Sequence, residues 1–532
     1  MVGLKPSRYT QANEDEATGQ LTLHNTSSGV LWDVPAEWKE QVLSFLQKKE
    51  DSTLNGSTHK GQVRNLIRWM RLAGLLVPEP MDEYARARAA HRRAQEGEGQ
   101  LQLILMPTEQ CNFRCVYCYE TFIRPKMKPE IRQGIKNLVR KRANSLKQLQ
   151  IAWFGGEPLV GFDVVRELSR DMIRTCTQHH VAYRAGMTTN GYLLTPSVAR
   201  ELVEELEVRD YQITLDGPPE EHNRRRKLIG GQSTFERIFE NLKAMKQLSG
   251  HFRVAIRMNF DMGNHSKIPN FIERLAQEFG EDSRFSVLFR PVEEWGGPNK
   301  ANELPKPSAK NGGVDGKSTA LPKLGNEVLQ PGARPAVPEG TREASPTPAG
   351  NPVKILSMLA GERKMMEFSN YATQHKLKCL DADILQPEGY VCYAAKPYSL
   401  VVGSDGTLYK CTVAFSNEKN HVGKLLPDGT LQIHQERFNL WVKDYVAEDK
   451  GCQSCHFLPA CHGSACPLIR IETGKRPCPP PKRFIKQAIG YTAANNRLRL
   501  SEQDLFGTLV SPEEGKSQPE SVKTFIPLSP MS

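Results

Sequence analysis

The sequence predicts an α/β fold in which six parallel strands form a partial (β/α)6 barrel, preceded by a small α+β region and followed by a cysteine-rich domain. Two observations predict this fold. Between residues 96 and 296, short apolar runs alternate with segments of helical length, which is typical of βα repeats. On either side of that stretch the alternation stops and the composition changes. Right-handed crossovers would then place the helices outside a parallel sheet.

Residues 1–95 form the first predicted region. We expect Ser7–Thr10 and Leu21–His24 to pair as short strands, and helical patterns follow at Ala36–Lys48 and Val63–Leu75. Strands and short helices of this size are typical of a winged-helix-like module. A simple capping subdomain is the alternative.

Residues 96–296 carry the predicted barrel. Its strand candidates are Leu101–Met106, Gln150–Phe154, Ala182–Thr188, Tyr211–Leu215, Arg253–Asn259 and Phe285–Arg290. Each gap between them holds a segment long enough for a helix. In such barrels the functional residues lie at the carboxyl ends of the strands, so the loops that follow these six runs are where we expect the site.

The rest of the chain divides by composition. Residues 297–351 are rich in Pro, Gly and Lys and hold too few large apolar residues to offset chain entropy, which predicts a flexible insertion. Residues 352–500 carry a helix, a turn-rich cysteine region and a predicted closing helix at Phe484–Arg497. Residues 501–532 form a polar C-terminal tail.

Composition limits the class of protein. Of 532 residues, 39% are hydrophobic and 25% are charged, and no apolar run approaches the length that spans a bilayer. The N-terminus lacks the apolar core of a signal peptide, so we expect a cytoplasmic protein without a membrane partner. In that compartment, twelve cysteines are expected to be metal ligands or free thiols.

The net charge of +11 raises the possibility of nucleic-acid binding. No zinc-finger spacing or RNA-binding aromatic motif accompanies the basic residues, so no nucleic-acid partner is expected. A basic surface of this kind would favour an acidic peptide as partner.

Three cysteines follow the first predicted strand, at positions Cys111, Cys115 and Cys118. Thiols at this CxxxCxxC spacing can each bind a different iron of one cubane cluster, which leaves the fourth iron without a protein ligand. An open coordination position usually indicates a site for chemistry. The alternative is a three-ligand fragment of a zinc site, although zinc pairs usually have CxxC spacing.

Polar motifs follow the next strands. Gly155-Gly156-Glu157-Pro158 ends the second, and its glycines allow close backbone approach while its carboxylate can accept bonds from an ammonium group. Thr188-Thr189-Asn190-Gly191 ends the third and Asp216-Gly217-Pro218 the fourth. Arg224-Arg225-Arg226 comes soon after, and Asn259 ends the fifth strand.

Together these motifs resemble those of the radical S-adenosylmethionine (SAM) enzymes. The resemblance implies that the amino and carboxylate groups of SAM occupy the open iron, that GGEP holds the amino group, and that Arg226 meets the carboxylate. An aromatic residue precedes the last cysteine in that family, as Tyr117 does here. The implied SAM-binding set is Tyr117, Gly155, Gly156, Glu157, Pro158, Thr189, Asn190, Asp216, Arg226 and Asn259.

A second group of cysteines resembles the SPASM domain, a twin-cluster extension of radical SAM enzymes that modify peptides and proteins. The one departure is the presence of four residues, where the pattern has three, between Cys461 and Cys466. The resemblance implies two auxiliary [4Fe-4S] clusters: one held by Cys392, Cys411 and Cys466, with Cys379 as a possible fourth ligand, and one held by Cys452, Cys455, Cys461 and Cys478. A structural zinc site over Cys452–Cys478 is the alternative. Cys176 lies outside all sets and is expected to be a buried small hydrophobe.

The resemblance implies a maturase with three [4Fe-4S] clusters and SAM, reduced by a low-potential donor such as flavodoxin or ferredoxin. A 5′-deoxyadenosyl radical would abstract hydrogen from a ribosomally synthesised precursor peptide or protein and so install a crosslink, a thioether or another oxidation. The N-terminal region would grip a leader peptide. No residue is assigned a catalytic role beyond cofactor binding.

Two alternatives remain. Anaerobic sulfatase-type formylglycine maturation is the first, but in that group an Asp follows the second SPASM cysteine, whereas Thr412 follows Cys411 here. Thr is a poor general base because its hydroxyl does not ionise near neutral pH. A non-catalytic iron–sulfur redox or binding protein is the second. Such a protein would not cleave SAM.

Overall fold

The structure is a computed structural model, and it describes residues 3–16, 18–47, 60–295, 353–380, 387, 391–461 and 466–489. The predicted insertion at 297–351 and the predicted tail at 501–532 lie outside these residues, as does the predicted closing helix from residue 490 onward. Within the described part of the chain, no helix combines the length and apolar character needed to cross a membrane.

Strands and helices alternate through the middle of the chain. The strands are β1 Leu4–Pro6, β2 Thr10–Glu14, β3 Leu21–Asn25, β4 Leu31–Val34, β5 Leu76–Pro78, β6 Gln100–Leu105, β7 Phe113–Cys115, β8 Gln148–Trp153, β9 Ala182–Thr189, β10 Val208–Thr214, β11 Arg226–Leu228, β12 Arg253–Phe260, β13 Phe285–Pro291, β14 Ser399–Val402, β15 Thr407–Tyr409, β16 His421–Leu425 and β17 Leu431–Ile433. The helices are α1 Lys39–Leu46, α2 Lys60–Leu72, α3 Glu83–Glu96, α4 Pro129–Arg142, α5 Phe162–Gln178, α6 Pro196–Glu204, α7 Pro219–Arg225, α8 Phe235–Lys246, α9 Ile268–Phe279, α10 Met358–Gln374, α11 Gln435–Val442, α12 Tyr445–Glu448, α13 Lys450–Gln453, α14 Leu458–Cys461 and α15 Pro467–Thr473.

The predicted parallel sheet is confirmed. Strands β6, β8, β9, β10, β12 and β13 lie side by side in chain order and pair in parallel throughout. Each begins and ends within three residues of the predicted bounds. Helices α4 to α9 occupy the connections between them, as the right-handed βα rule requires. The carboxyl ends of all six strands therefore meet at one edge of the sheet.

Side chains alternate along these strands between an apolar and a polar face. On β10, Tyr211 and Ile213 are fully buried in the main core, whereas Gln212 and Thr214 lie on the opposite face. On β12, Ile256 and Met258 are buried in that core as well. The apolar face packs against the helices, because a strand with period-two alternation buries one face. The polar face is left for a site.

An unpredicted strand extends the sheet beyond β6. Residues Ser399–Val402 of β14 pair in parallel with Gln102–Leu105 of β6, and β15, β16 and β17 continue the sheet with antiparallel pairing. At the opposite edge, an isolated parallel bridge joins Val287 of β13 to Cys379. Residues C-terminal to the insertion thus contact both edges of the predicted barrel sheet.

The N-terminal region forms a three-stranded antiparallel sheet of β2, β3 and β4. The predicted first strand, Ser7–Thr10, is wrong: pairing with β3 begins at Thr10 and continues to Glu14. The reason is that backbone amides of this segment are bonded elsewhere: that of Ser7 donates to the Leu75 carbonyl at 2.9 Å, and that of Arg8 donates to the Glu83 carboxylate at 3.0 Å. Each backbone amide is a single donor, so an amide that is bonded elsewhere cannot also pair with a neighbouring strand.

This region packs against the cysteine-rich domain. Tyr9 and Ala87 share an apolar cluster with Val446, Cys452 and Leu458. The Thr26 hydroxyl donates a 2.6 Å bond to the carbonyl of His456. Residues at the two ends of the chain are therefore neighbours around Cys452.

Candidate functional site

An open cavity of about 190 Å³ lies at the carboxyl ends of the parallel strands. Cys111, Cys115 and Cys118 all line it. Every member of the predicted SAM-binding set lines it too, except Pro158 and Asp216.

The cysteine segment is held by a two-stranded ribbon that the sequence did not predict. Strand β7 pairs with β11, and the register places Cys115 opposite Arg226. Burial raises the pKa of all three thiols, while the charge of Arg226 opposes that shift at Cys115. Since metals bind thiolates, metal binding at this site would have to release these protons.

Gly155 and Gly156 bring the turn after β8 against the segment that precedes Cys111. A Cβ atom on Gly155 would lie 2.4 Å from the Thr108 carbonyl oxygen, and one on Gly156 would lie 2.4 Å from that of Glu109. Gly155 also has a φ of 114°, which favours glycine. In this structure the two glycines therefore allow close packing of two chain segments.

Glu157 joins two of the strand-end turns. Its Oε1 accepts from the Leu159 amide at 3.0 Å and from the Thr189 hydroxyl at 2.7 Å, and its Oε2 accepts from the Asn190 amide at 2.7 Å. The residue is fully buried. Burial raises the pKa of Glu157, and the three hydrogen bonds oppose the shift. A carboxylate has about four acceptor positions, so Oε2 retains one for a further donor.

Tyr117 is the centre of a polar network on the opposite wall. Its hydroxyl donates to Asp216 and accepts from Arg226 Nη1 at 2.7 Å and from Asn259 Nδ2 at 3.0 Å. Asn259 also donates to Asp216 through its backbone amide at 3.1 Å. Burial raises the pKa of Tyr117 well above its ordinary value, so the phenol stays protonated. Asp216 thus orients the network from behind the cavity wall.

The three consecutive arginines have different surroundings. Arg224 pairs with Glu221 and is partly exposed. Arg225 is buried and donates to Asp261 at 2.8 Å. Arg226 alone of the three lines the cavity, as the resemblance implied.

Buried polar atoms without partners also line the cavity. Among the described residues, Thr188 Oγ1, Gln212 Oε1 and Glu120 Oε1 have no hydrogen-bond partner. Burial raises the pKa of Glu120 to about 8. Buried polar groups are almost always paired, so these three indicate a polar ligand, and the donor set fits an iron–sulfur cluster with SAM.

Sequence reasoning missed several residues of this wall. Gln212 and Arg257 line the cavity but belong to no motif. The available signal was periodicity, because polar residues at alternate positions of an apolar strand indicate an inner polar face. Gln212 and Thr214 on β10, and Arg257 and Asn259 on β12, show this pattern.

A second, smaller cavity brings together the four cysteines of one predicted auxiliary set. Cys452, Cys455, Cys461 and Cys478 all line it. Two cations border these thiols: Arg470 Nη2 lies 3.4 Å from Cys452 Sγ, and Lys482 Nζ lies 3.8 Å from Cys478 Sγ.

The other predicted auxiliary set is also close in space. Burial raises the pKa of Cys392 to about 12, and the neighbouring Cys466 thiol adds to that shift. Both thiols also raise the pKa of Cys411, for which burial is the main cause. Val413, two residues after Cys411, lines the main cavity. The ligand role of Cys379, which lies at the β13 edge, stays a prediction.

Asn420 and Lys410 hold the turns that carry these cysteines. Asn420 Oδ1 accepts from the backbone amides of Lys410 and Cys411 at 3.0 and 2.9 Å. Lys410 Nζ donates to the carbonyls of Lys396 and Ser399, each at 2.6 Å. Burial lowers the pKa of Lys410 to about 7, and the Cys392 thiolate opposes this shift.

Thr412 does not line the cavity, although it follows Cys411. It is fully buried, its hydroxyl lies 2.8 Å from the Tyr393 hydroxyl, and its amide donates to the same oxygen at 2.9 Å. Cys176 is buried within α5, as predicted for a thiol outside the ligand sets.

Within the described residues, no three His, Cys, Asp or Glu side chains are placed to hold a single metal ion. A zinc site needs its ligands to converge on one ion, whereas a cubane cluster takes one thiolate for each iron.

Comparison with known proteins agrees with this geometry. Residues 105–275 match the model of the radical SAM superfamily. The chain is 25% identical over 213 residues to the cysteine-type anaerobic sulfatase-maturating enzyme of Clostridium perfringens, which is 36% of this chain and 56% of that protein. It is 29% identical over 145 residues to the GTP 3′,8-cyclase of Haemophilus ducreyi, which is 26% of this chain and 39% of that protein. The chain thus aligns with little more than half, or less, of these relatives' length.

A solved structure also shares the fold. It is described as native anSMEcpe with bound AdoMet and Kp18Cys peptide, and it covers 75% of this chain and 100% of its own, with a TM-score of 0.50 and 16% sequence identity. At that identity the likeness concerns the fold alone.

Proposed function

We propose, from the premise that residues 105–275 form a radical SAM domain, that this protein reductively cleaves SAM and uses the resulting radical to oxidise a peptide or protein. The observation that carries the proposal is that Cys111, Cys115, Cys118, Glu157 and Arg226 line one cavity. That cavity also holds unpartnered buried acceptors. A redox relay needs no open iron and no polar cavity beside it.

The chain's own residues would bind and orient the cofactors. Cys111, Cys115 and Cys118 would hold the cluster, whose reduction supplies the electron that cleaves SAM. Glu157 has an acceptor position left for the amino group of SAM, and Arg226 offers a guanidinium for its carboxylate. The Tyr117 hydroxyl keeps Arg226 in place.

The two further cysteine sets would hold auxiliary [4Fe-4S] clusters. Four thiols already line the second cavity, and Cys392 and Cys466 are both close enough to Cys411 to raise its pKa. Oxidation that forms a new bond to carbon removes one hydrogen atom, one proton and one electron from the substrate. The hydrogen atom would go to the adenosyl carbon and the proton to water. The electron would leave through the cluster beside Val413, whose side chain borders the main cavity.

The substrate class rests on the cysteine-rich domain. The two curated relatives differ in what their names say they act on, a sulfatase and GTP, so the shared domain does not determine the substrate. The SPASM-like spacing favours a ribosomally synthesised peptide or a protein. The N-terminal region packs on that domain at Cys452 and is our candidate to hold the part of the substrate that is not modified.

The first experiment tests SAM cleavage. After anaerobic reconstitution with iron and sulfide, we expect about twelve irons per chain and, with dithionite and SAM, 5′-deoxyadenosine. Cys115→Ala should abolish that product. Cys176→Ala is the matched control, since Cys176 is buried and lies outside all three sets. Wild-type protein that contains iron but forms no 5′-deoxyadenosine would instead be a redox or binding protein.

The second experiment tests the substrate. Short peptides encoded beside the gene would be incubated with the reconstituted protein, SAM and a reductant, and their masses measured. A mass change that disappears in Cys411→Ala while SAM cleavage persists would support oxidation through the auxiliary cluster. Absence of any mass change in every such peptide would contradict a peptide-modifying role.

Formylglycine maturation is a second candidate, favoured by the similarity to a sulfatase-maturating enzyme. Thr412 argues against it, because it is not a base and its hydroxyl is bound to Tyr393 away from the cavity. A sulfatase-derived Cys peptide supplied as substrate separates the two candidates. Conversion of that Cys to formylglycine would replace our proposal.

A further inference from the structure

Lys410 is a fully buried lysine directly before a predicted cluster ligand. It follows β15 and precedes Cys411, and its side chain has no solvent exposure. Its Nζ donates 2.6 Å bonds to the carbonyls of Lys396 and Ser399. These bonds tie the Cys411 turn to the segment that follows Cys392.

The contacts of Lys410 leave its charge uncompensated. In the described part of the chain, Nζ contacts the two carbonyls and lies 5.0 Å from the centre of the Phe438 ring, but it contacts no carboxylate. A buried ammonium costs several kcal/mol unless an opposite charge compensates it. The charged groups that face it are the thiol of Cys392, which would be anionic as a ligand, and the nearby Lys396, itself largely buried.

We propose that Lys410 is a positioning residue that acts as the fixed counter-cation of the cluster held by Cys392, Cys411 and Cys466. This inference rests on the proposed function, because it requires that cluster. A fixed positive charge stabilises the reduced, more negative state and so raises the reduction potential. The cluster can then gain the single electron that the substrate carbon loses, while the substrate proton goes to water and the electron later leaves to an external acceptor.

The second auxiliary set provides an internal comparison. One neighbouring cation, Lys482, lies 3.8 Å from Cys478 Sγ and is only half-buried. Arg470 and Arg476 are also close to this set, and both bind the carboxylate of Asp449, at 3.1 Å from Arg470 Nη1 and at 2.8 Å from Arg476 Nε. Their positive charge is partly compensated before any cluster is considered. The two auxiliary sites therefore differ in the charge that the chain itself supplies: among the described residues, only the Cys392 set has a fully buried cation without a carboxylate partner.

The test measures the reduction potential of each cluster in Lys410→Met, Lys410→Arg and wild-type protein by redox titration followed by EPR. The signals are assigned beforehand with Cys411→Ala and Cys455→Ala. For Lys410→Met we expect at least a tenfold fall in the ratio of reduced to oxidised cluster at a fixed potential, which is 59 mV for one electron. Only the Cys392 set should change. Lys410→Arg keeps the charge and should stay within threefold of wild type.

Lys419→Met is the matched control, because Lys419 is an exposed lysine of the same domain whose Nζ binds one carbonyl at 3.3 Å. It should leave every potential unchanged. An unaltered potential in Lys410→Met with full iron content would overturn the proposal. An equal fall of the reduction potential in Lys410→Arg would also overturn it. The cause would then be the change of side-chain shape, because this variant keeps the positive charge.

Iron content separates this proposal from the proposed function. If wild-type protein has no cluster that depends on Cys411, the auxiliary-cluster assignment fails and the Lys410 proposal fails with it. If Lys410→Met loses only that cluster, Lys410→Gln is tested beside Lys410→Arg. Retention by Arg and loss by both Met and Gln supports a charge requirement, whereas loss in all three shows that the role is structural and overturns the proposal.

Discussion

Arg226 donates a 2.7 Å hydrogen bond to the hydroxyl of Tyr117, which lies 109 residues earlier in the chain. Register places the same arginine opposite Cys115 on the β7–β11 ribbon. One residue therefore joins the cysteine segment, through its backbone, to the network that ends at Asp216 and Asn259, through its side chain. Loss of the Tyr117 hydroxyl should disturb ligand binding without removing any thiol.

Tyr117→Phe tests this relationship. The change removes the acceptor of Arg226 Nη1, whereas Asn259 Nδ2 keeps its bond to Asp216 at 3.2 Å. A buried donor left unpaired costs about 1–3 kcal/mol. We expect the KM for SAM to rise about tenfold or more, with iron content unchanged. The measurement is the dependence of 5′-deoxyadenosine formation on SAM concentration.

Tyr192→Phe is the control for that variant. Tyr192 packs edge-on against Phe113 with ring centroids 5.9 Å apart, so the substitution keeps the ring contact beside the cysteines. Its KM for SAM should stay near that of the wild type. Equal values for Tyr117→Phe and Tyr192→Phe would show that the hydroxyl network does not contribute to SAM binding.

Gly156→Ala should damage the cysteine segment from the opposite side. Its Cβ would lie 2.4 Å from the Glu109 carbonyl oxygen and 2.6 Å from that of Gln110, and backbone atoms cannot move away cheaply. Overpacking of this kind costs about 1–3 kcal/mol. We expect loss of the four irons that depend on Cys115, measured by iron analysis. Gly61→Ala is the control. Gly61 lies in α2, and a Cβ atom added there would meet no other part of the chain within 4 Å, so this variant should keep all of its iron.

Thr412→Val tests whether Thr412 has any chemical role. The substitution removes a buried hydroxyl that lies 2.8 Å from the Tyr393 hydroxyl, which should lower the free energy of unfolding by about 1 kcal/mol. Peptide oxidation and SAM cleavage, both measured after reconstitution, should persist. A loss of oxidation with intact clusters would mean that Thr412 takes part in the reaction.

Asp449→Asn should weaken the Cys452 site. Asp449 accepts from the Gly451 amide at 3.0 Å as the N-cap of α13 and binds Arg470 and Arg476. Hydrogen bonding from Arg476 and Arg470 holds the pKa of Asp449 below its ordinary value against the opposing effect of burial. Removal of the carboxylate should cost about 1 kcal/mol and speed the release of iron to a chelator.

The pH dependence of the stability lost in Asp449→Asn follows from the lowered pKa of Asp449. A carboxyl with a lowered pKa contributes stability above its unfolded pKa and loses it as the pH falls through the folded value. The difference between Asp449→Asn and wild type should therefore be constant over about pH 6–8. Asp428→Asn, in the β16–β17 turn, should not change iron release. A penalty that varies over this range would contradict the assignment to Asp449.

The sequence was sufficient for the features that depend on local pattern. Six apolar runs predicted the parallel strands, because a strand buried against helices needs apolar residues whatever its partner. The motifs predicted that Glu157, Asn190 and Arg226 would meet, because parallel strands present their carboxyl ends at one edge. The close approach of Cys452, Cys455, Cys461 and Cys478 agrees with the spacing-based expectation, while their ligand role stays a prediction.

Features that depend on long-range pairing were not accessible from one sequence. The three-residue strands β7 and β11 carry no periodic signal, yet their pairing places Arg226 opposite Cys115. Strand β14 has four residues and pairs with a strand almost 300 positions earlier. The predicted strand at Ser7–Thr10 was wrong because this segment forms hydrogen bonds to Glu83, which is far away in the chain. Such partners are known only once the chain is folded.

The pairing of β14 with β6 has a consequence for dissection of the chain. In a fragment that ends at residue 295, the backbone amides and carbonyls of Gln102–Leu105 would lack their partners on β14. An apolar edge strand with unpaired backbone groups can pair with other chains. The radical SAM segment on its own should therefore aggregate, and co-expression with residues 391–489 should restore its solubility. Exchange of catalytic and cysteine-rich halves between related proteins would then succeed only where the two halves can still pair along β6 and β14.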